Sequence, residues 1–291
     1  MKFRFLFLPI CFLFLLSSCE DELEVPIPKE EPKLVINSLL GVDSVLRVHV
    51  SKSSSFQNQS SNNSLSNASI IIKENNQLLG KMKFESDGWY SLNSNLVLKN
   101  SSYQIEVSSP NLETANSETE TIERIDIETI SYQEIGEDKL KFTFQFNDNP
   151  IQENYYMILL KAHTGTSYIP VDFYSDNIIF NGNLSENSIG IKKNMLYGSR
   201  TFSDENLKVN GNTISIYIHH SNSNSSNTNQ EYKLELYHIT PDYFKYERSL
   251  IVFYNRDDLP FYNKVNLHSN INAGYGIFAS YAIASETITI P

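Results

Sequence analysis

Leu140-Lys141-Phe142-Thr143-Phe144-Gln145-Phe146 alternates apolar and polar residues without interruption. Successive side chains of an extended chain point to opposite faces, so Leu140, Phe142, Phe144 and Phe146 share one face and that face is core. The pattern recurs along the chain. In the first part, β-branched and aromatic runs fall at 34–37, 45–50, 68–73, 81–85, 88–92 and 102–107, with Gly41-Val42-Asp43-Ser44 as a turn between the first two. Short strands at such spacing predict a β-sandwich.

The order of an Ala-Ser-Ile-Ile-Ile strand, a hairpin, a Gly-Trp-Tyr strand and a Tyr-x-Ile-x-Val strand resembles small immunoglobulin-like modules of bacterial surface proteins. The polar, acidic stretch 110–123 reads as the exit from it. Further strands are expected at 125–134, 139–147, 155–162, 169–174, 213–219 and 231–239, and a closing strand at 277–283. One helix is expected near 241–253, with Thr240 as N-cap and Pro241 at its first position. Its stripe of Tyr243, Tyr246, Leu250 and Phe253 is suited to packing on a sheet, with ligand stacking as the alternative. Gly274 and Gly276 permit a tight turn or close backbone approach. The fold class is therefore mainly β: an immunoglobulin-like sandwich over 34–122, then a larger β-rich domain over 123–291 carrying the helix.

Ahead of these strands, Lys2 and Arg4 precede an apolar run that ends in Leu16-Ser17-Ser18-Cys19. A spanning helix needs about 20 apolar residues, and this run has roughly a dozen. The layout is that of a secretory signal over residues 1–18, and its end resembles a bacterial lipobox, with Leu16, Ser17 and Ser18 recognised by the signal peptidase. Cys19 is then the lipidation site, modified by diacylglycerol and fatty acyl chains such as palmitate. Each buried CH₂ contributes about 0.8 kcal/mol, so several chains anchor durably. Residues 19–33, acidic and containing Pro26, Pro28 and Pro32, form a tether. Glu20, Asp21, Glu22 and Glu24 resemble the signal that sends lipoproteins of Bacteroidota to the outer face of the outer membrane; a solvated acidic linker is the plain alternative.

Loss of residues 1–18 removes two positive charges and moves the net charge from −11 to about −13. Such a chain repels phosphate backbones, and no basic cluster offsets this, so nucleic acid is excluded as an expected partner. Both cysteines, Cys11 and Cys19, lie in the signal region. The mature chain therefore has no thiol for a disulfide, a nucleophile or a metal. Two polar insertions, 51–67 and 221–229, read as surface loops, and the sequons at Asn58, Asn62 and Asn67 read as accidental.

No cofactor, metal or catalytic residue is expected. Of His49, His163, His219, His220, His238 and His268, only His219 and His220 adjoin, and on a strand they point apart. Asn147-Asp148-Asn149-Pro150 and Asp257-Asp258 offer oxygen ligands without the spacing of a calcium loop, and turn chemistry suffices for the first. Neither Gly-x-Ser-x-Gly nor His-Glu-x-x-His occurs.

The lipobox and acidic tether, Pro32-Lys33-Leu34-Val35, Phe202-Ser203-Asp204-Glu205, Tyr243-x-x-Tyr246-x-x-Ser249-Leu250 and Asn270-Ile271-x-x-Gly274-x-Gly276-Ile277-Phe278 follow one another in an order that resembles the domain-of-unknown-function family 4249. The likeness spans essentially the whole mature chain. It implies an outer-membrane, surface-exposed lipoprotein with no catalytic residues to transfer, acting as a non-enzymatic binding or accessory protein for a TonB-dependent transporter. The alternative is a surface glycan-binding protein or hydrolase whose site assembles only in three dimensions.

Overall fold

The computed structural model describes residues 31–54, 63–149, 151–175, 177–180, 199–207, 212–219, 229–254 and 266–291. Within Pro32–Pro291, one compact unit, the first strands are β1 (Leu34–Gly41), β2 (Val45–Lys52), β3 (Ser69–Glu74), β4 (Gln77–Lys81), β5 (Lys83–Phe84), β6 (Trp89–Leu96), β7 (Ser102–Ser108) and β8 (Ala115–Glu120). There follow β9 (Ile127–Glu134), β10 (Lys139–Phe146), β11 (Tyr155–His163), β12 (Tyr168–Pro170), β13 (Ser199–Ser203), β14 (Asn212–His219), β15 (Gln230–Ile239), the helix α1 (Pro241–Tyr254) and β16 (Tyr275–Ile290).

Among the described residues these strands form three sheets. The largest runs β12-β11-β15-β16-β1-β2-β6-β5, with β13 also paired to β11, and the others are β4-β3-β7-β8 and β14-β10-β9. The fold is mainly β, sandwich-like and multi-sheeted, with one described helix, as the patterning predicts. Leu34, Ile36 and Leu40 of β1 and Leu46, Val48 and Val50 of β2 point inward to meet Ile70, Ile72, Tyr103, Ile105 and Val107 of β3 and β7. In a second core, Leu140, Phe142, Phe144 and Phe146 of β10 face Ile158 and Leu160 of β11 and Leu234 and Leu236 of β15. Each such side chain contributes about 1.5–3 kcal/mol on leaving water.

β16 joins the two. Its first part pairs in parallel with β1 from Tyr275 to Tyr281, and its second pairs antiparallel with β15 from Tyr281 to Ile290. Sixteen residues at about 3.3 Å each span roughly 50 Å, enough to cross both cores. Phe278 enters the first core, while Ala284 and Ile290 enter the second. The opposite face of the same strand presents Ile277 and Ala279, which pack with Met157, Ile239 and Tyr243 under α1.

Several elements depart from the sequence reading. The acidic stretch expected to be an exit contains β8, whose Ala115, Ser117 and Thr119 point inward; its buried face is built of small and hydroxylated residues, so no apolar alternation marks it. The strand expected at 169–174 ends at Pro170, beyond which the Val171 amide makes a last bond to the Leu160 carbonyl and Tyr174 makes an isolated bridge to Tyr217. Thr240 does precede α1, and its carbonyl accepts the Phe244 amide. Its hydroxyl donates to the Ser280 carbonyl at 3.3 Å, tying the start of the helix to β16.

Candidate binding face

The inward faces of the largest sheet are filled, so function has to be sought on its outer face. Strand register places Trp89, His49, Asn37 and Ile277 in one transverse row across β6, β2, β1 and β16. Tyr275 and Val35 start the neighbouring row on one side, and Ala279 and Leu39 occupy the other. α1 covers Ile277 and Ala279. Beyond the helix the face is open: Trp89 is 40% exposed, Tyr275 43% and Leu39 37%.

The open part is rigidly built. The His49 ring meets Trp89 edge-on, with centroids 5.2 Å apart and planes at 65°, an arrangement in which the positive edge of one ring meets the negative face of the other. The Arg47 guanidinium stands over the indole at 5.2 Å and pairs with Glu85 at 2.5 Å. Side-chain hydrogen bonding and the charge of Arg47 hold the Glu85 carboxyl below the usual carboxylate range. His49 Nε2 donates to the Asp87 carbonyl at 3.0 Å, fixing the turn in which Asp87 takes φ 47° and Gly88 φ 80°. Lys33 lies over the Tyr275 ring at 5.6 Å. Two exposed aromatic rings, each with a cation at its face, thus bracket Asn37 and His49.

The helix forms the boundary of this face. Tyr155 stacks with Phe244 at 4.6 Å, and Tyr281 lies between Tyr237 at 5.6 Å and Tyr243 at 6.2 Å. Glu235, 5% exposed, accepts from Tyr237 at 2.8 Å and from Lys161 at 2.9 Å. Burial alone would raise its carboxyl, but Lys161, Tyr237 and Lys233 bring it below its ordinary value. Each of these groups is matched within the fold, as buried charge requires.

The other polar cluster lies beside the second core. Asn154 donates its backbone amide to Asp204 at 2.8 Å and its side-chain amide to Asp148 at 3.1 Å; the Tyr156 hydroxyl also donates to Asp148. His238 stacks on Tyr156 at 5.3 Å and donates Nδ1 to the Glu123 carbonyl at 2.8 Å. Burial raises the Asp204 carboxyl, with the charges of Asp148 and Glu153 adding to it, and burial lowers the His238 imidazole. The geometry ties the 148–154 turn to the end of β13. That is why Phe202-Ser203-Asp204-Glu205 occurs as a unit: Phe202 is core, and Asp204 receives the turn.

Leu16, Ser17, Ser18 and Cys19 lie outside the described residues, as do Cys11, Asn58, Asn62, Pro150, His220, Asp257 and Asp258. The other histidines are dispersed, with His219 Nδ1 3.9 Å from Asp138 and His268 Nε2 2.8 Å from Asp242. Of the helical stripe, Tyr243 is buried on the sheet and Tyr246 packs beside it. Sequence reasoning passed over Arg47, His49, Glu85 and Trp89 as a group. Their common signal is outward position on paired strands, readable only once register is known.

A family model described as Domain of unknown function (DUF4249) matches residues 20–287. No curated protein matches the chain. Among solved structures, a candidate membrane-anchored protein from Corynebacterium diphtheriae is 10% identical, with 73% of this chain and 55% of that one covered and a TM-score of 0.23. Bacteroides uniformis β-glucuronidase 3 is 10% identical, with 71% and 23% covered and a TM-score of 0.23. A candidate carbohydrate binding protein from Bacteroides uniformis ATCC 8492 is 10% identical, with 89% and 99% covered and a TM-score of 0.24. The chain thus spans about half the length of the first and a quarter of the second.

Proposed function

Because the chain belongs to the family described as Domain of unknown function (DUF4249), whose model covers residues 20–287, we propose that it is a lipid-anchored binding protein of the outer membrane, not an enzyme. Cleavage after Ser18 exposes Cys19, whose acyl chains enter the bilayer, and the acidic residues that follow direct the protein outward. Among the described residues, no helix is long and apolar enough to cross a membrane. The tether of residues 20–33 then presents the β scaffold to a partner, a TonB-dependent transporter that the protein serves as an accessory.

The observation that supports binding is the open sheet face between Trp89 and Tyr275, whose side chains are held in place by their neighbours and left accessible. By contrast, the carboxylates of Asp148 and Asp204 are engaged by Tyr156 and Asn154. Cross-linking on intact cells tests the reading. Recovery of an outer-membrane transporter with the wild type is expected; recovery of no transporter under conditions that preserve such complexes overturns the accessory role. Cys19→Ala should move the protein from the membrane to the soluble fraction. A Cys19→Ala protein that still sediments with membranes defeats the anchor.

A further inference from the structure

We propose that the open sheet face from Trp89 to Tyr275 is a binding platform for a neutral oligosaccharide, an assignment that rests on the binding reading above and names its ligand. Trp89 is the chain's only tryptophan, and it stands on a regular strand position with 40% of its surface open. Tyr275, 43% open, lies three strands away through β2 and β1 to β16. At about 4.8 Å per strand that is roughly 14 Å across the sheet. Asn37 and His49 continue the Trp89 row toward β16, and Tyr275 stands in the adjacent row.

A sugar ring has an apolar face of C–H groups and a rim of hydroxyls that both donate and accept. The ring surface of Trp89 and Tyr275 that stays open beside Arg47 and Lys33 suits the first, and planar amide, imidazole, guanidinium and carboxylate groups suit the second. Arg47 and Glu85 are held together at 2.5 Å, and His49 is fixed by Asp87, so these groups need little ordering on binding.

Charge narrows the ligand. Arg47 is neutralised by Glu85, Lys33 lies against Tyr275 as a single cation, and the whole chain carries −11, so a polyanion is repelled by the molecule as a whole; among the described residues no group of His, Cys, Asp or Glu is placed to hold a metal ion. Protein partners also use Trp, Tyr and Arg, but they concentrate them in a contiguous desolvated centre. Here the two aromatic rings are separated by half-buried polar Asn37 and His49. Rings spaced along a polar row fit a chain of hydroxylated units.

Because Trp89 is the only tryptophan, its fluorescence reports on this face directly. The full-length lipidated protein in detergent is titrated with neutral hexasaccharides and disaccharides of glucose, xylose, mannose and galactose. A saturable change in Trp emission with at least one hexasaccharide is expected. Calorimetry should then show at least tenfold weaker binding for Trp89→Ala and for Tyr275→Ala, with the melting temperature of Tyr275→Ala unchanged. The matching disaccharide should be insensitive to Tyr275→Ala. If Trp89→Ala fails to fold, Arg47→Ala serves as the second variant and should weaken binding in the same way. Emission unresponsive to every saccharide, or binding unaltered by these substitutions, overturns the assignment. If transporter cross-linking persists in that case, the ligand class alone has failed and the accessory role stands; if a protein partner is lost with Trp89→Ala while no saccharide binds, the face belongs to that protein.

Discussion

Gly276 has φ +108°, and a Cβ at that position would sit 2.0 Å from the Ile36 carbonyl oxygen. The conformation and the close approach both require glycine, because β1 and β16 meet there in parallel. Gly276→Ala should therefore lose about 3 kcal/mol or more of stability, read from denaturant midpoints. Asp204 illustrates the electrostatic side of a single residue. Its folded-state pKa lies above the ordinary 3.8, with burial the largest cause, so the folded chain binds that proton more tightly than the unfolded one. Its contribution is then most favourable below 3.8 and is lost as pH rises through the folded-state value. Asp204→Asn should flatten that decline, measured as the difference between wild-type and variant stability across mildly acidic pH. Wild type minus variant should therefore grow more negative with rising pH, and a difference that grows more positive would contradict the sign.

At the scale of elements, α1 and β16 are held together by a short segment whose side chains imitate a strand. Asn270 donates its side-chain amide to the Phe278 carbonyl at 2.7 Å and accepts the Phe278 amide at 2.9 Å. Asp242, in the first turn of α1, accepts from His268 at 2.8 Å and from Asn270 at 3.3 Å, where the helix N-terminus favours a negative charge. Asn270→Ala leaves both backbone groups of Phe278 without these partners. It should cost about 1–3 kcal/mol and accelerate hydrogen exchange at the Phe278 amide more than at Leu236 of β15. Equal acceleration at both would mean a global effect and not a local link between α1 and β16.

For the whole molecule, the decisive feature is a sheet that takes part in two cores. β16 supplies Phe278 to one and Ala284 and Ile290 to the other, and Ser280, fully buried between them, donates to the Glu120 carbonyl at the end of β8 at 2.7 Å. The shared strand predicts a single cooperative unfolding of residues 32–291. Trp89 fluorescence reports the first core, and circular dichroism of the many tyrosines and phenylalanines around the second reports the rest. Coincident urea transitions are expected; separated midpoints would show that β16 does not couple the cores.

The alternation of Leu140 to Phe146, the Pro241 helix start and the Gly274-x-Gly276 approach are local chemistry, so the sequence by itself determined the β class, the helix and the close contact near the C-terminus. The signal-like Leu16-Ser17-Ser18-Cys19 is likewise read from residues alone. β8 was hidden because its inward positions are Ala115, Ser117 and Thr119, residues whose burial depends on what lies opposite. The row of Trp89, His49 and Asn37 was hidden for a related reason: the three residues are far apart in sequence, and only antiparallel register brings them side by side. Tertiary structure decided the make-up of the open sheet face, since which outward side chains become neighbours, and which of them α1 covers, are properties of strand order and helix placement that no short stretch of chain encodes.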